Sequence, residues 1–172
     1  MKEHQVLLVI DMQNEGLLNR DVFNKYELIN NVNSIIDFFH KNKKPVFFIQ
    51  HSNKSFLKAN TDGWKIYEAL HLSKEDKIVN KRNINVFREQ HFLSLLEEYR
   101  IEEAIITGLV SNGCINAACL GGLDMGISVT LISDGHSTFC KNAEKVVSKY
   151  NLQLEKQGVR VIPALKWLRI QL

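Results

Sequence analysis

The stretch AIITGLVSNGCINAACLGGLDMG, residues 104–126, indicates how this chain folds. It begins with an apolar run typical of a β-strand that is buried on both faces. The loop GLVSNG, residues 108–113, follows, and its two glycines permit a positive φ or a close approach of the backbone. Ser111 and Asn112 can each cap a helix that begins near Cys114. The stretch therefore predicts a strand, a tight loop and a helix in succession.

Short apolar runs alternate with longer amphipathic segments along the rest of the chain. Six runs are predicted as strands: VLLVI (6–10), PVFFIQ (45–50), KIVN (77–80), AIITGL (104–109), VTLIS (129–133) and VRVIP (159–163). Apolar residues recur at helical spacing in segments 27–41, 90–99 and 142–156. The segment 52–76 has no clear period, and we expect a long, partly helical connection there. The pattern predicts an α/β fold, three-layer α/β/α and Rossmann-like, around a parallel sheet of about six strands.

Composition and charge exclude several classes of protein. The 172 residues are 45% hydrophobic and 24% charged, and the formal net charge is only +3, with no basic stripe. These values are ordinary for a globular domain, so we expect no nucleic-acid or membrane partner. The apolar run Val6–Ile10 is too short for a membrane span or a signal-peptide core. Three cysteines without CxxC spacing argue against a disulfide framework or a zinc cluster, and we expect a reduced, cytoplasmic protein.

Three side chains of complementary chemistry follow separate predicted strands. Asp11 comes directly after VLLVI, Lys81 after KIVN, and Cys114 a short turn after AIITGL. In open parallel sheets, ligands bind beyond the carboxyl ends of the strands, near the point where the strand order reverses. A thiol nucleophile needs a base to take its proton, and positive or N–H groups to hold an oxyanion. A carboxylate, an ammonium and a thiol together meet those needs.

Each of these residues also has a structural explanation. An Asp after a strand is often a turn or a helix cap, and most lysines are solvated. A cysteine is most often a small buried hydrophobe, which suits Cys119 in the middle of the predicted helix, while Cys140 carries no evident role. Cys114 differs because it lies at the predicted first turn of the helix, where free N–H groups favour the thiolate. Close helix packing accounts for four small residues: Ala117, Ala118, Gly121 and Gly122.

Four segments of the chain resemble the isochorismatase-like cysteine hydrolases: LLVIDMQN (7–14), VNKRNINVF (79–87), GLVSNGCI (108–115) and DGHST (134–138). The motifs occur in the family's order and cover nearly the whole chain. The resemblance implies a parallel sheet with helices on both faces and a single hydrolase domain over residues 1–172. It also implies a homodimer or a larger homo-oligomer.

The same resemblance implies roles for individual residues. Asp11 corresponds to the general base and acid of a catalytic triad, Lys81 to its electrostatic and orienting partner, and Cys114 to the nucleophile. The family has a cis peptide bond before its cysteine, which falls here between Leu109 and Val110. The backbone N–H groups of Val110 and Cys114 are then expected to form the oxyanion hole. The segment DGHST is interpreted as a strand-end turn and a helix cap, so His136 is not counted among the catalytic residues.

The region after the second predicted strand departs from the metal-dependent nicotinamidase branch of the family. That branch has an Asp and paired His residues there, whereas this chain has His51 and no further histidine until His71. We therefore expect no metal and no cofactor. The region is similar to the metal-free cysteine hydrolases whose substrates are unassigned. His51 and Trp64 are predicted to line the substrate pocket, although Trp64 suits a core position equally well.

Three functions remain open at this point. The first is cysteine-dependent hydrolysis of a small-molecule amide or carbamoyl C–N bond through a thioester. The second is vinyl-ether hydrolysis of the isochorismatase type, which needs a proton donor rather than a nucleophile and leaves Cys114 as a bystander. The third is a non-catalytic small-molecule binder or thiol sensor. The presence of Cys114 favours the first function.

Overall fold

The computed structural model describes residues 4–171. Within them, six strands and six α-helices follow one another as β1 (Gln5–Ile10), α1 (Asn14–Asn19), α2 (Lys25–Lys41), β2 (Val46–His51), β3 (Lys77–Lys81), α3 (Gln90–Glu98), β4 (Glu103–Leu109), α4 (Asn116–Asp124), β5 (Ser128–Ser137), α5 (Ala143–Lys156), β6 (Arg160–Ile162) and α6 (Ala164–Gln171). A 3-10 turn at Val86–Arg88 precedes α3, and a π-helical turn at Ser111–Ile115 precedes α4. All six predicted strands and all three predicted amphipathic helices are confirmed.

The six strands form one parallel sheet in the order β3-β2-β1-β4-β5-β6. The chain moves outward from β1 to β3, then returns to the centre and moves outward on the other side from β4 to β6. The strand order therefore reverses between β1 and β4. Ile10 at the end of β1 lies opposite Ile49 of β2 and Gly108 of β4, so the carboxyl ends of the central strands are level.

Helices cover both faces of the sheet, which explains why its strands are apolar along their whole length. In β1, Val6, Leu8 and Ile10 pack into one core and Leu7 and Val9 into the other. The first core is closed by α3, α4 and α5, and the second by α1, α2 and α6. The three-layer α/β/α prediction is confirmed.

Close packing explains the paired glycines of α4. A Cβ at Gly122 would lie 2.7 Å from Cγ2 of Val129 in β5, and a Cβ at Gly121 would lie 2.5 Å from Oδ1 of Asn85. One glycine therefore lets the helix approach the sheet, and the other lets it approach the turn before α3. No helix within residues 4–171 is both long and apolar enough to cross a membrane.

The prediction of partial helix in segment 52–76 is wrong, because the structure shows turns and extended backbone there and no helix. Isolated turns within the segment and hydrogen bonds to the start of the chain take the place of a helix. The Asn14 and Glu15 N–H groups donate to backbone carbonyls of this segment, at 2.9 Å in each case, and the Tyr67 N–H donates to the Met12 carbonyl at 2.9 Å. The two shortest α-helices, α1 and α6, were not predicted.

Candidate active site

The predicted site residues converge at the carboxyl edge of the sheet. Asp11 follows β1 and Cys114 lies in the π-helical turn after β4, on the two sides of the strand-order reversal. His51 and Lys81 are the last residues of β2 and β3. The sheet therefore brings a carboxylate, an imidazole, an ammonium and a thiol to one place.

Lys81 is the centre of this group. Its side chain is fully buried, and its Nζ lies 3.2 Å from Oδ2 of Asp11, 2.9 Å from Nδ1 of His51 and 3.2 Å from Sγ of Cys114. It also donates to the Asn83 carbonyl at 3.2 Å. A buried ammonium is tolerated only when it is paired and hydrogen-bonded, as it is here.

Asp11 has a free acceptor close to the thiol. Oδ2 of Asp11 accepts from Lys81, whereas Oδ1 is buried and accepts no hydrogen bond from any group in residues 4–171. An oxygen of this carboxylate, a ring nitrogen of His51 and Sγ of Cys114 all lie within 4.8 Å of one another. The Asp11 backbone is left-handed, with a φ of 52°, a conformation that costs most residues energy but that Asp and Asn tolerate best. The arrangement leaves Oδ1 able to take a proton.

The loop between β4 and α4 has the predicted backbone. The Leu109–Val110 peptide bond is cis, and Gly108 before it has a φ of 118°; a Cβ at Gly108 would lie 2.1 Å from the Ile10 carbonyl oxygen, so only glycine fits. The N–H groups of Gly113 and Ile115 both donate to the Val110 carbonyl, which curls the loop around Cys114.

The predicted N-caps are wrong, because neither side chain caps α4. Ser111 and Asn112 lie inside the π-helical turn, and their side chains bond instead to His136 and Thr138.

The thiol of Cys114 is held in its protonated form. Burial and the neighbouring Asp11 carboxylate raise the pKa of Cys114 to about 12, and the Lys81 ammonium offsets only part of that rise. Burial and the carboxylate therefore outweigh the ammonium at the resting thiol.

His51 is neutral and has a defined tautomer. An ammonium can only donate, so Nδ1 of His51 accepts from Lys81 and the ring proton lies on Nε2. Burial and the Lys81 charge lower the pKa of His51. The ring therefore offers an uncharged N–H donor at the site near neutral pH.

The donor atoms of Asp11, His51 and Cys114 are close enough together to hold a metal ion. However, Lys81 Nζ already contacts one atom of each of these residues. A metal ion bound to the same three atoms would meet a buried positive charge at its centre.

A cavity of about 440 Å³ opens beside Cys114. At its inner end lie Asp11, His51 and Cys114, with Lys81 buried beneath them; we call these four residues the polar floor. On the solvent side, the guanidinium of Arg20 lies 5.8 Å from the ring centre of Phe56 and 5.7 Å from that of Phe139. We call these three residues the aromatic mouth. No pattern in the sequence indicates the mouth, because its members come from three unrelated loops without periodicity.

Trp64 does not line this cavity, in contrast to His51. Its indole Nε1 donates to Oγ of Ser52 at 2.8 Å, and its carbonyl accepts from the side-chain amides of Gln13 and Gln50 at 2.7 and 2.8 Å. These contacts anchor the 52–76 segment to the strand ends, so Trp64 shapes the pocket from outside.

Comparisons with known proteins agree with this architecture. The family profile of the isochorismatase domain matches residues 5–163. The uncharacterized isochorismatase family protein YddQ of Bacillus subtilis is 26% identical over 138 residues, which cover 77% of each chain. Nicotinamidase 3 of Arabidopsis thaliana is 28% identical over 151 residues, which cover 77% of this chain and 73% of the relative.

Solved structures share the fold. An isochorismatase-like hydrolase from Alkaliphilus metalliredigens superposes with a TM-score of 0.86 at 20% identity, with 98% of each chain covered. A cysteine hydrolase from Pseudomonas syringae pv. phaseolicola superposes with a TM-score of 0.87 at 17% identity, with 96% of this chain and 91% of that chain covered. The match over residues 5–163 shows that this chain belongs to the isochorismatase family of hydrolases.

Proposed function

We propose that the chain hydrolyses the C–N bond of a small-molecule amide or carbamoyl group through a thioester on Cys114. The observation that carries the proposal is the contact of one buried ammonium, Lys81 Nζ, with both Asp11 Oδ2 and Cys114 Sγ at 3.2 Å, at the inner end of a cavity. Asp11, Lys81 and Cys114 are thus close enough together to act on the carbonyl group of one bound substrate molecule.

In the first half-reaction, Asp11 takes the thiol proton as Sγ attacks the carbonyl carbon, and the carbonyl electron pair moves onto oxygen. Since the pKa of the Cys114 thiol is raised to about 12, the proton leaves only as the new C–S bond forms, with the base already in place. Lys81 compensates the single negative charge, whether Asp11 or Cys114 carries it.

The oxyanion is stabilised by the N–H groups of Val110 and Cys114 in the curled loop after β4. Loss of one such donor typically costs about 100- to 1000-fold in rate. When the intermediate collapses, the C–N bond breaks and Asp11 returns its proton to the departing nitrogen. The products at this stage are an amine or ammonia and a thioester.

The second half-reaction regenerates the thiol. Asp11 takes a proton from a water molecule, whose oxygen attacks the thioester carbonyl. The C–S bond breaks, the carboxylic acid product leaves, and the proton on Asp11 returns to Cys114 Sγ. Atoms and charge balance, and the chain needs no further reagent than water.

The test is ammonia release from a panel of small primary amides and carbamoyl compounds, with wild type, Cys114→Ala and Cys140→Ala. We expect Cys114→Ala to lose about 10⁴-fold or more in kcat. Cys140→Ala is the matched control and should behave as wild type, because Cys140 lies outside the cavity lining. Retained ammonia release in Cys114→Ala would contradict the proposal, because Cys114 would then not be the nucleophile.

A further inference from the structure

A chain of buried hydrogen bonds runs from residues 110–115, which we call the nucleophile loop, to α5. Ser111 Oγ lies 2.8 Å from Nδ1 of His136, and Nε2 of His136 lies 2.8 Å from Oδ1 of Asn151. The Nδ2 group of Asn151 donates to the Ser133 carbonyl at 3.1 Å. Ser111 and His136 are both buried, and neither contributes to the cavity lining. The proposed mechanism gives this network no role.

The direction of every hydrogen bond in the network follows from its last member. The Ser133 carbonyl can only accept, so the Asn151 amide must present Nδ2 to it and Oδ1 to His136. Nε2 of His136 therefore carries the ring proton, Nδ1 is the acceptor, and the Ser111 hydroxyl donates to it. Burial lowers the pKa of His136, in keeping with the neutral ring that this order requires.

An irregularity in β5 places His136 beside the loop. Ile106 of β4 pairs with Leu131, but Gly108, two residues on, pairs with His136, so β5 carries extra residues between these positions. A Cβ at Gly135 would lie 2.7 Å from Cγ2 of Ile132, so this bulge has room only for glycine. The bulge carries the His136 ring level with the first residues of the nucleophile loop.

A second hydrogen bond joins β5 and the same loop. Thr138 Oγ1 donates to Oδ1 of Asn112 at 3.0 Å, and Thr138 is buried. Side chains from the end of β5 therefore hold two consecutive loop residues, Ser111 and Asn112. Both lie between Val110 and Cys114, the two residues whose N–H groups are assigned to the oxyanion hole.

We propose that His136 is a positioning residue, which acts through Ser111 to hold the loop 110–115 with Cys114 Sγ against Lys81. The inference rests on the proposed function for its catalytic meaning. The positioning role can be tested without a substrate, because the alkylation rate of Cys114 depends on the groups around its thiol. If the loop were released from His136, the Cys114 thiol would become less buried and would lie farther from Asp11. Both changes would lower the pKa of the thiol.

The experiment is alkylation by iodoacetamide between pH 7 and 11, with peptide mass spectrometry separating Cys114 from Cys119. Ser111→Ala is compared with Ser137→Ala, which also removes one buried hydroxyl, here one that donates to the Phe23 carbonyl at 2.6 Å. Because the wild-type pKa of about 12 lies above this pH range, the readout is the alkylation rate at fixed pH. We expect Ser111→Ala to speed Cys114 alkylation about tenfold at pH 8, which corresponds to a pKa lowered by about one unit. Ser137→Ala should leave the Cys114 profile unchanged.

Two variants of His136 test the specific hydrogen bond. In His136→Asn, Oδ1 lies as far along the side chain as Nδ1 and can accept from Ser111, so the wild-type profile is expected. His136→Leu has no acceptor and should shift the profile as Ser111→Ala does. Equal shifts in the Asn and Leu variants would overturn the assignment.

Labelling of Cys119 separates a local effect from general loosening, because Cys119 is fully buried in α4. A positioning role predicts unchanged Cys119 labelling in Ser111→Ala. A parallel rise at both cysteines, or the same Cys114 profile in Ser111→Ala and Ser137→Ala, would show that the network has only a general structural role.

Turnover provides the link to the proposed function. For any amide that wild type hydrolyses, Ser111→Ala should lower kcat by up to about 100-fold with little change in KM, because the loop carries the reacting groups and adds only Val110 and Cys114 to the cavity lining. The two hypotheses fail in different ways. Turnover retained in Cys114→Ala defeats the proposed function, whereas an unchanged alkylation profile in Ser111→Ala defeats the positioning role.

Discussion

The polar floor and the aromatic mouth of the cavity are built in opposite ways. The floor consists of side chains at strand ends, and its central member, Lys81, has a fully buried side chain and contacts Asp11, His51 and Cys114. The mouth consists of loop residues, with Phe56 55% and Phe139 42% exposed, held to Arg20 by cation–π contacts. Charge and burial dominate at one end of the cavity, and exposed apolar surface dominates at the other.

This contrast separates chemistry from recognition. A change in the floor alters charges that the interior cannot screen, so it should affect proton transfer, thiol reactivity and stability together. A change in the mouth removes contact area that water can replace, so it should affect only which molecules enter. The following predictions test that separation.

After Cys114→Ala, the largest effect is expected for Asp11→Asn. Asn tolerates the left-handed backbone at this position, so the variant removes only the charge. Turnover should fall about 10²- to 10⁴-fold, as expected for loss of a general base. Alkylation of Cys114 should nevertheless become faster at pH 8. The Asp11 carboxylate raises the pKa of the Cys114 thiol, so its removal lowers that pKa and increases the thiolate fraction.

Iodoacetamide labelling and ammonia release, measured on the same preparation, test whether Asp11→Asn speeds Cys114 alkylation while it slows turnover. Cys140 labelling is the internal control for reagent and pH. A simultaneous fall in turnover and in Cys114 labelling would mean that Asp11 supports the thiolate, contrary to the geometry described above.

Lys81→Met should have the reverse effect on the thiol. The ammonium lowers the pKa of Cys114, so its loss should raise that pKa further and slow alkylation at pH 8. The variant also leaves the Asp11 carboxylate without its buried partner, which typically costs about 3–5 kcal/mol of folding free energy. Urea unfolding measures that loss.

The matched control for Lys81→Met is the double variant Asp11→Asn/Lys81→Met, which removes both charges. It should be more stable than Lys81→Met alone, because no unpaired charge remains buried. A double variant as unstable as the single one would mean that Lys81 stabilises the fold by packing rather than by charge.

The smallest effect is expected at the mouth. Phe56→Ala should change the free energy of unfolding by less than about 0.5 kcal/mol, because the ring is largely exposed. It should lower the ratio of Cys114 alkylation rates with N-benzyl iodoacetamide and iodoacetamide about 2- to 10-fold, the range for a lost aromatic contact. Tyr26→Ala, an exposed aromatic outside the cavity lining, is the control. An unchanged ratio in Phe56→Ala would mean that the mouth does not contact entering molecules.

The floor could be predicted from the sequence because it depends on strand ends. Buried parallel strands are recognisable as continuous apolar runs, and the residues that follow them must meet at one edge. Asp11, Lys81 and Cys114 were found in this way, and the structure places them in contact. The cis peptide bond at Leu109–Val110 was expected from the family resemblance alone and is also present.

The mouth and the support of the loop could not be predicted, because both depend on contacts between distant segments. Segment 52–76 has no periodicity, since isolated turns and backbone hydrogen bonds with Met12, Asn14 and Glu15 replace a regular helix or strand there. Ser111 has the residue type of a helix cap, yet its hydroxyl donates to His136, 25 residues away. In segment 52–76 and at Ser111, tertiary contacts rather than local propensity determine the structure.

The residues of the polar floor follow separate strands, and this placement also determines when during folding the Cys114 thiol meets Asp11 and Lys81. Lys81 lies 70 residues from Asp11 and 33 residues from Cys114 along the sequence, so no local folding event can assemble the three groups. A nascent chain that has released only β1 to β3 holds the Asp11 carboxylate and the Lys81 ammonium but not the Cys114 thiol. Until β4 joins β1 at the centre of the sheet, Cys114 is an ordinary thiol. Any thiol reactivity that depends on Asp11 and Lys81 is therefore a property of the folded sheet and is absent from the chain during synthesis.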